Sequence, residues 1–227
     1  MDKRAALAEI EAEMAADAAL PLIGSANLVF GEGNADCRVM FIGEAPGMNE
    51  DRLRRPFVGR GGQLLDDMIR RLGWKREDVY ITNIVKRRPP DNRDPLPAEI
   101  EAYKPYLARQ IAAIDPPLIV TLGRFSMNYF LPYARMTRDH GRPLTIDGRT
   151  VYPVYHPAAA LRSTQMMNTL CGDFARIPDV LAGKIAVKLP DAFDVKLPPA
   201  MAATASFSSR TIPILLKQCL RQWLLLL

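Results

Sequence analysis

The sequence predicts an α/β fold, a three-layer α/β/α sandwich around a central, mainly parallel sheet of four strands. Two observations carry this. Four short apolar runs, at residues 39–42, 79–85, 118–122 and 151–155, alternate with stretches of helical periodicity. The third run, Leu118-Ile119-Val120-Thr121-Leu122, is almost wholly apolar, which suits a strand covered on both faces. A chain of 227 residues accommodates one such domain with tails. A domain of this size buries roughly 70% of its unfolded surface.

The elements follow in order. Residues 3–19 are rich in Ala and Glu and read as a helix. The strand at 39–42 is stopped by Gly43 and Pro46. Residues 44–60 form a long charged loop with four arginines, a length typical of functional or mobile segments. Leu64, Leu65, Met68, Ile69 and Leu72 share one stripe of a helix over 63–72, and Gly73 ends it. The strand at 79–85 carries Thr82-Asn83 and leads into a basic, Pro-rich loop over 86–95. Pro97 sits in the first turn of the next helix, whose buried face is Ile100, Tyr103, Leu107, Ile111 and Ile114, with Pro105 a candidate kink. Gly123 starts a short helix after the third strand, and residues 168–181 read as the last helix. The expected organisation is an N-terminal helix and lead-in (1–26), the main domain (27–183), and a tail (184–227) that is flexible or docks through its Leu-rich end from Ile212.

Composition narrows the function. Net charge is +5, but residues 52–93 hold twelve Lys/Arg against five Asp/Glu, a basic stripe that suggests a polyanionic partner. No stretch approaches the ~20 apolar residues of a membrane span. Glu9, Glu11, Glu13 and Asp17 argue against a signal peptide. Cys37, Cys171 and Cys219 have no metal-ligand spacing and form no disulfide framework, so a reducing cytoplasm is expected.

Two strings bracket a candidate pocket. Gly43-Glu44-Ala45-Pro46-Gly47 closes the first apolar run, and His156-Pro157-Ala158 closes the fourth. Thr82-Asn83 ends a third. Loops at the carboxyl ends of strands are where ligands collect in an open α/β sheet.

With these strings the chain resembles the uracil-DNA glycosylase superfamily, nearest to the bacterial and archaeal family 4 enzymes. The resemblance covers roughly residues 27–183. It rests on Phe30-Gly31-Glu32-Gly33, on Gly43–Gly47 with Glu50-Asp51, and on Arg55-Pro56-Phe57-Val58-Gly59-Arg60. It rests also on Thr82-Asn83 with Arg88-Pro89-Pro90-Asp91-Asn92-Arg93, and on His156-Pro157-Ala158. It implies an enzyme that flips uracil out of DNA and hydrolyses its glycosidic bond, leaving an abasic site and free uracil. Phe57 would stack on the base, Asn83 would read its edge, and His156, as a neutral imidazole, would stabilise the anion developing on the ring. Gly43 and Ala45 would line the pocket. Where the best-known branch of the superfamily has an Asp, this chain has Ala45, so Glu44, Glu50 and Asn83 are the candidates for steadying the water or the sugar cation; Glu44 has the alternative of holding the base through its backbone.

Arg60, Lys86, Arg88 and Arg93 are expected on phosphates, with Leu161 as the wedge into the duplex and Arg162 as its fallback. His140 reads as a surface residue. Family 4 members hold an iron–sulfur cluster on four cysteines, and the matching positions here are Ala16, Ala19, Arg87 and Tyr103. None supplies a thiolate, so no metal and no cofactor are expected; Arg87 would pair with an acid of the N-terminal helix and Tyr103 would fill apolar space. A monomer in a bacterial cytoplasm, acting on the nucleoid, is expected. Two rivals stay open: a weakly catalytic protein that binds uracil or abasic DNA, and a glycosylase for another deaminated base. The lack of a glycine-rich phosphate loop argues against a nucleotide-binding regulator.

Overall fold

A computed structural model describes residues 2–186. The chain divides into two compact units, Met1–Pro190 and Asp191–Leu227. The second unit, and with it the Leu-rich end and Cys219, lies outside the described residues.

Six strands form one sheet: β1 (Glu32–Gly33), β2 (Val39–Gly43), β3 (Tyr80–Asn83), β4 (Leu118–Leu122), β5 (Leu144–Ile146) and β6 (Arg149–Val154). Their order is β1-β3-β2-β4-β6-β5. The inner four run parallel, as expected. The two edge strands are antiparallel additions beyond the expected four: β1, of two residues, carries no alternation to read, whereas β5 is joined to β6 by the hairpin turn Asp147-Gly148, with both residues at positive φ.

Alternate residues of each inner strand face opposite layers. Met40 and Ile42 join a core with α1 (Lys3–Ala16) and α4 (Pro97–Ile114); Val39 and Phe41 join a second core with α3 (Arg60–Arg71), α8 (Thr164–Ala175) and α9 (Ile177–Leu181). Each helix starts where its chemistry allows. Asp2 caps α1 by accepting from the Arg4 N–H at 3.0 Å, and Ser163 caps α8 by accepting from Met166 at 3.3 Å. Pro97 opens α4, and the Glu99 carboxylate returns to the Leu96 N–H at 2.7 Å. The helix runs on through Pro105.

Several boundaries differ from expectation. The first helix stops at Ala16, with Asp17 as its cap. The expected last helix is two, α8 and α9, meeting at Arg176, because Pro178 can sit only in the first turn of a new helix. The charged loop after β2 contains the short helix α2 (Met48–Leu53). α5 (Arg124–Phe130) follows Gly123 as expected, while two further short helices, α6 (Met136–Asp139) before β5 and α7 (Pro157–Ala160) after β6, are additions.

β2 pairs with β3 on one side and β4 on the other, so the connections leaving β2 and β4 diverge. That divergence opens a crevice at the carboxyl ends of the strands, and the strings singled out above lie there.

Candidate active site

Gly43 is the floor. A Cβ there would lie 2.4 Å from Asn83 Oδ1 and 2.4 Å from Phe57 Cζ, so only glycine lets both side chains close over β2. Asn83 ends β3 beside Gly43 in register. It is buried, and its Oδ1 has no hydrogen-bond partner. An acceptor left unpaired inside a protein costs about 1–3 kcal/mol, which makes it a place where a ligand donor belongs.

Phe57 stands on a strained turn, with φ at 51°. Three groups hold that turn. The Glu50 carboxylate accepts from the Val58 and Gly59 N–H groups at 2.9 and 2.7 Å. Arg76 donates to the Pro56 and Phe57 carbonyls and is itself gripped by Glu32 and Asp66. Gly62 presses its backbone against the Phe57 carbonyl, where a Cβ would come within 2.0 Å. Burial works to raise Glu32, but Arg55 and Arg76 hold it below the usual carboxylate range. The Phe30–Gly33 string thus supports the pocket from behind. Sequence reading missed Arg76, which looked like one more member of the basic run.

His156 reaches the same place from β6. Its ring centroid is 5.6 Å from that of Phe57, with the planes 29° apart. Two contacts of roughly 3.5 Å would be needed to sandwich a flat ring between them, so the space between the two rings does not admit one. The Ala158 N–H donates to His156 Nδ1 at 3.1 Å. That fixes the tautomer: in the neutral ring the proton is on Nε2. Burial pushes His156 down to about 4 against the opposing pull of Glu50, so the ring is neutral at physiological pH. Gly123, with φ at 93°, gives the imidazole room; a Cβ there would sit 3.0 Å from that of His156.

Glu44 is half-buried at the end of β2. Burial, with Asp94 nearby, pushes it up to about 7, and Arg124 opposes the shift. Ala45 packs its methyl on the first core. Of the three candidates for steadying water or the sugar, Glu50 is committed to backbone N–H groups and Asn83 bears no charge, while Glu44 retains a carboxyl poised between its two forms.

The phosphate candidates separate. Arg60 and Arg162 are exposed, as is Leu161 at 39%. Arg88 is half-buried, with its Nε on Asn92 Oδ1 at 2.7 Å. Arg93 spends both terminal nitrogens on Glu99 and is held against α4. Lys86 is corrected outright. It is fully buried, donates to Thr82 Oγ1 and Gln110 Oε1, and burial depresses its ammonium well below the normal lysine value. A side chain sealed in the core does not reach a phosphate. The exposed Arg52 and Arg54 of the same run were not singled out. His140 is also corrected: it is half-buried, with Nδ1 2.7 Å from Asp173 Oδ2 and its ring 4.9 Å from that of Tyr155.

The four positions matching the family 4 cluster do not fit one. Tyr103 is fully buried and donates its hydroxyl to the Pro21 carbonyl at 2.8 Å. Burial pushes that hydroxyl up to about 12, even with the Arg87 guanidinium beside it. Arg87 donates to the Ala26 carbonyl at 2.8 Å, not to an acid of α1 as expected, and its Nε finds no acceptor. Two methyl groups, a guanidinium and a phenol offer iron no thiolate. Among the described residues, no three His, Cys, Asp or Glu side chains gather to hold a metal.

Residues 30–176 match the family model described as the uracil DNA glycosylase superfamily. The chain belongs to that superfamily. It is 48% identical over 168 residues to the type-4 uracil-DNA glycosylase of Saccharolobus solfataricus, covering 70% of this chain and 78% of that one. It is 43% identical over 177 residues to the type-4 uracil-DNA glycosylase of Archaeoglobus fulgidus, covering 74% and 87%. It is 45% identical over 149 residues to the type-4 uracil-DNA glycosylase of Thermotoga maritima, covering 64% and 78%. The matched span contains every residue of the pocket.

Proposed function

We propose the following division of labour for a uracil-DNA glycosylase acting in DNA repair. The observation that carries it is the unpaired, buried Asn83 Oδ1 between Phe57 and Gly43. Uracil presents an N3–H to that oxygen and its O4 to the Asn83 amide donors; cytosine presents a lone pair and an amine, which meet like with like. The uracil flips into the crevice and stacks on Phe57.

As the glycosidic bond lengthens, electrons move onto the uracil ring and positive charge onto the sugar. His156 Nε2–H donates to the carbonyl oxygen that gains charge. Glu44, when ionised, steadies the sugar cation or the attacking water. Water supplies the hydroxyl to the sugar C1′, and the products are free uracil and an abasic site. Arg60, Arg88 and Arg162 hold phosphates, and Leu161 enters the stack. No iron–sulfur cluster takes part, since Ala16, Ala19, Arg87 and Tyr103 supply no thiolate. No described helix is long and apolar enough to cross a membrane. The free Cys37 and Cys171 fit a reducing cytoplasm.

Single-turnover release of free base tests this. Oligonucleotides carrying uracil, hypoxanthine or xanthine are compared with chelator present. Uracil is expected to be released, and to be released fastest. Tight binding without release would replace the enzyme with a damage-binding protein, and faster hypoxanthine release would replace the substrate.

A further inference from the structure

Six large apolar side chains stand exposed among the described residues: Ile23, Met48, Leu53, Leu96, Tyr133 and Leu161. Single exposed apolar residues are common and need no explanation. The placement of two of them is not random. Leu161 is seven residues beyond the end of β6, and Met48 is five residues beyond the end of β2. Both strands are parallel and end at the same edge of the sheet, two strand spacings apart, or roughly 10 Å. The pocket lies between them, since Phe57 and His156 meet there.

Met48 is the more exposed, at 61%, against 39% for Leu161. It directly follows Gly47, whose Cβ position would lie 4.0 Å from Asn92 Oδ1, the atom that orients Arg88. Gly47 thus lies where the pocket loop meets the basic loop, and Met48, the next residue, opens α2. The loop after His156 supplies little else: Ala160 is buried at 1%, leaving Leu161 alone.

We propose that Met48 is a second apolar plug, entering the duplex from the pocket-loop side and filling, together with Leu161, the gap left by the flipped nucleotide. This rests on the uracil-excision reading. Apolar wedges pay for unstacking by replacing the lost base contacts, and an unbranched thioether adapts to either neighbouring base. A lone Leu covers one side of the gap; Met48 covers the other.

The test compares single-turnover uracil release from duplex and from single-stranded oligonucleotides for the wild type, Met48→Ala, Met48→Leu and Leu161→Ala. A single strand has no stack to fill, so a plug matters only on duplex. Met48→Ala is expected to slow duplex excision about 10-fold, to change single-strand excision less than about two-fold, and to be rescued by Met48→Leu. Leu161→Ala is expected to show the same substrate split. Equal loss on both substrates would make Met48 a structural residue and overturn the proposal, as would an unchanged duplex rate. A wild type that releases no uracil from either substrate would instead overturn the function on which the proposal rests.

Discussion

Glu44 is where the chemistry of this site departs furthest from ordinary carboxylate behaviour. Its value of about 7 comes from burial, with Asp94 nearby adding to it. Below pH 7 the group is mostly protonated and cannot steady a cation; above it the carboxylate is present. Excision is therefore expected to rise through a limb centred near pH 7, measured as single-turnover rate against pH. Glu44→Gln is expected to flatten that limb and hold the rate near its low-pH value. A limb that survives the substitution would mean Glu44 acts through its backbone alone. His156 adds no limb of its own between pH 5 and 8, since it protonates only near 4. Phe57, Asn83 and His156 were singled out in the sequence because their strings are specific to the family when taken together, and the structure brings the three to one crevice. The role of Glu50 was not. Its carboxylate is spent on two backbone N–H groups, and nothing in a sequence separates a carboxylate facing a ligand from one facing a loop.

At the scale of elements, the loop from α2 to α3 is the part built for the site. Phe57 takes a backbone conformation that costs a non-glycine residue of order 1 kcal/mol, so the loop needs external clamps. Arg76, Glu50 and Gly62 are those clamps. Arg76→Met removes the donors to both carbonyls. It is expected to lower the uracil release rate about 10-fold or more while leaving secondary structure by circular dichroism unchanged. Gly62→Ala forces a Cβ within 2.0 Å of the Phe57 backbone and is expected to be worse, with loss of thermal stability as well as activity. The inner strands and α3 were legible because their patterns are long and regular. α2 was read as loop because its six residues, apolar only at Met48 and Leu53, carry no stripe, and β1 was missed because its partner β3 is distant in sequence, whereas β5 is joined to β6 by the two-residue turn Asp147-Gly148. Lys86 was misread for a related reason. Its neighbours Arg87 and Arg88 suggest a surface, whereas the buried acceptors Thr82 and Gln110 belong to β3 and α4.

At the scale of the whole molecule, two features remain to be tested. The first is how DNA is held. Arg88→Ala should weaken binding at every sequence and reduce the slope of log affinity against log salt by about one. Lys86→Met should leave that slope unchanged, because its amine is sealed in the core. Equal slope changes for the two would restore Lys86 to the phosphate set. The second is how the segment between α1 and β1 is fastened without thiolates. Tyr103 and Arg87 tie it to α4 and to the end of β3 through the carbonyls of Pro21 and Ala26, and Tyr106 donates to Asp17 at 2.7 Å. Tyr103→Phe is expected to cost about 1 kcal/mol in chemical denaturation, the usual worth of such a bond.

The most direct test of the central claim is one assay of four proteins: single-turnover release of uracil from a single-stranded oligonucleotide by the wild type, Phe57→Ala, Asn83→Ala and His156→Ala. The wild type is predicted to release uracil, and His156→Ala to be slower by roughly 100- to 1,000-fold, the usual loss on removing a donor to a developing anion. Asn83→Ala is predicted to be slowed comparably and Phe57→Ala less. If His156→Ala and Asn83→Ala both release uracil at the wild-type rate, this crevice is not where the bond breaks.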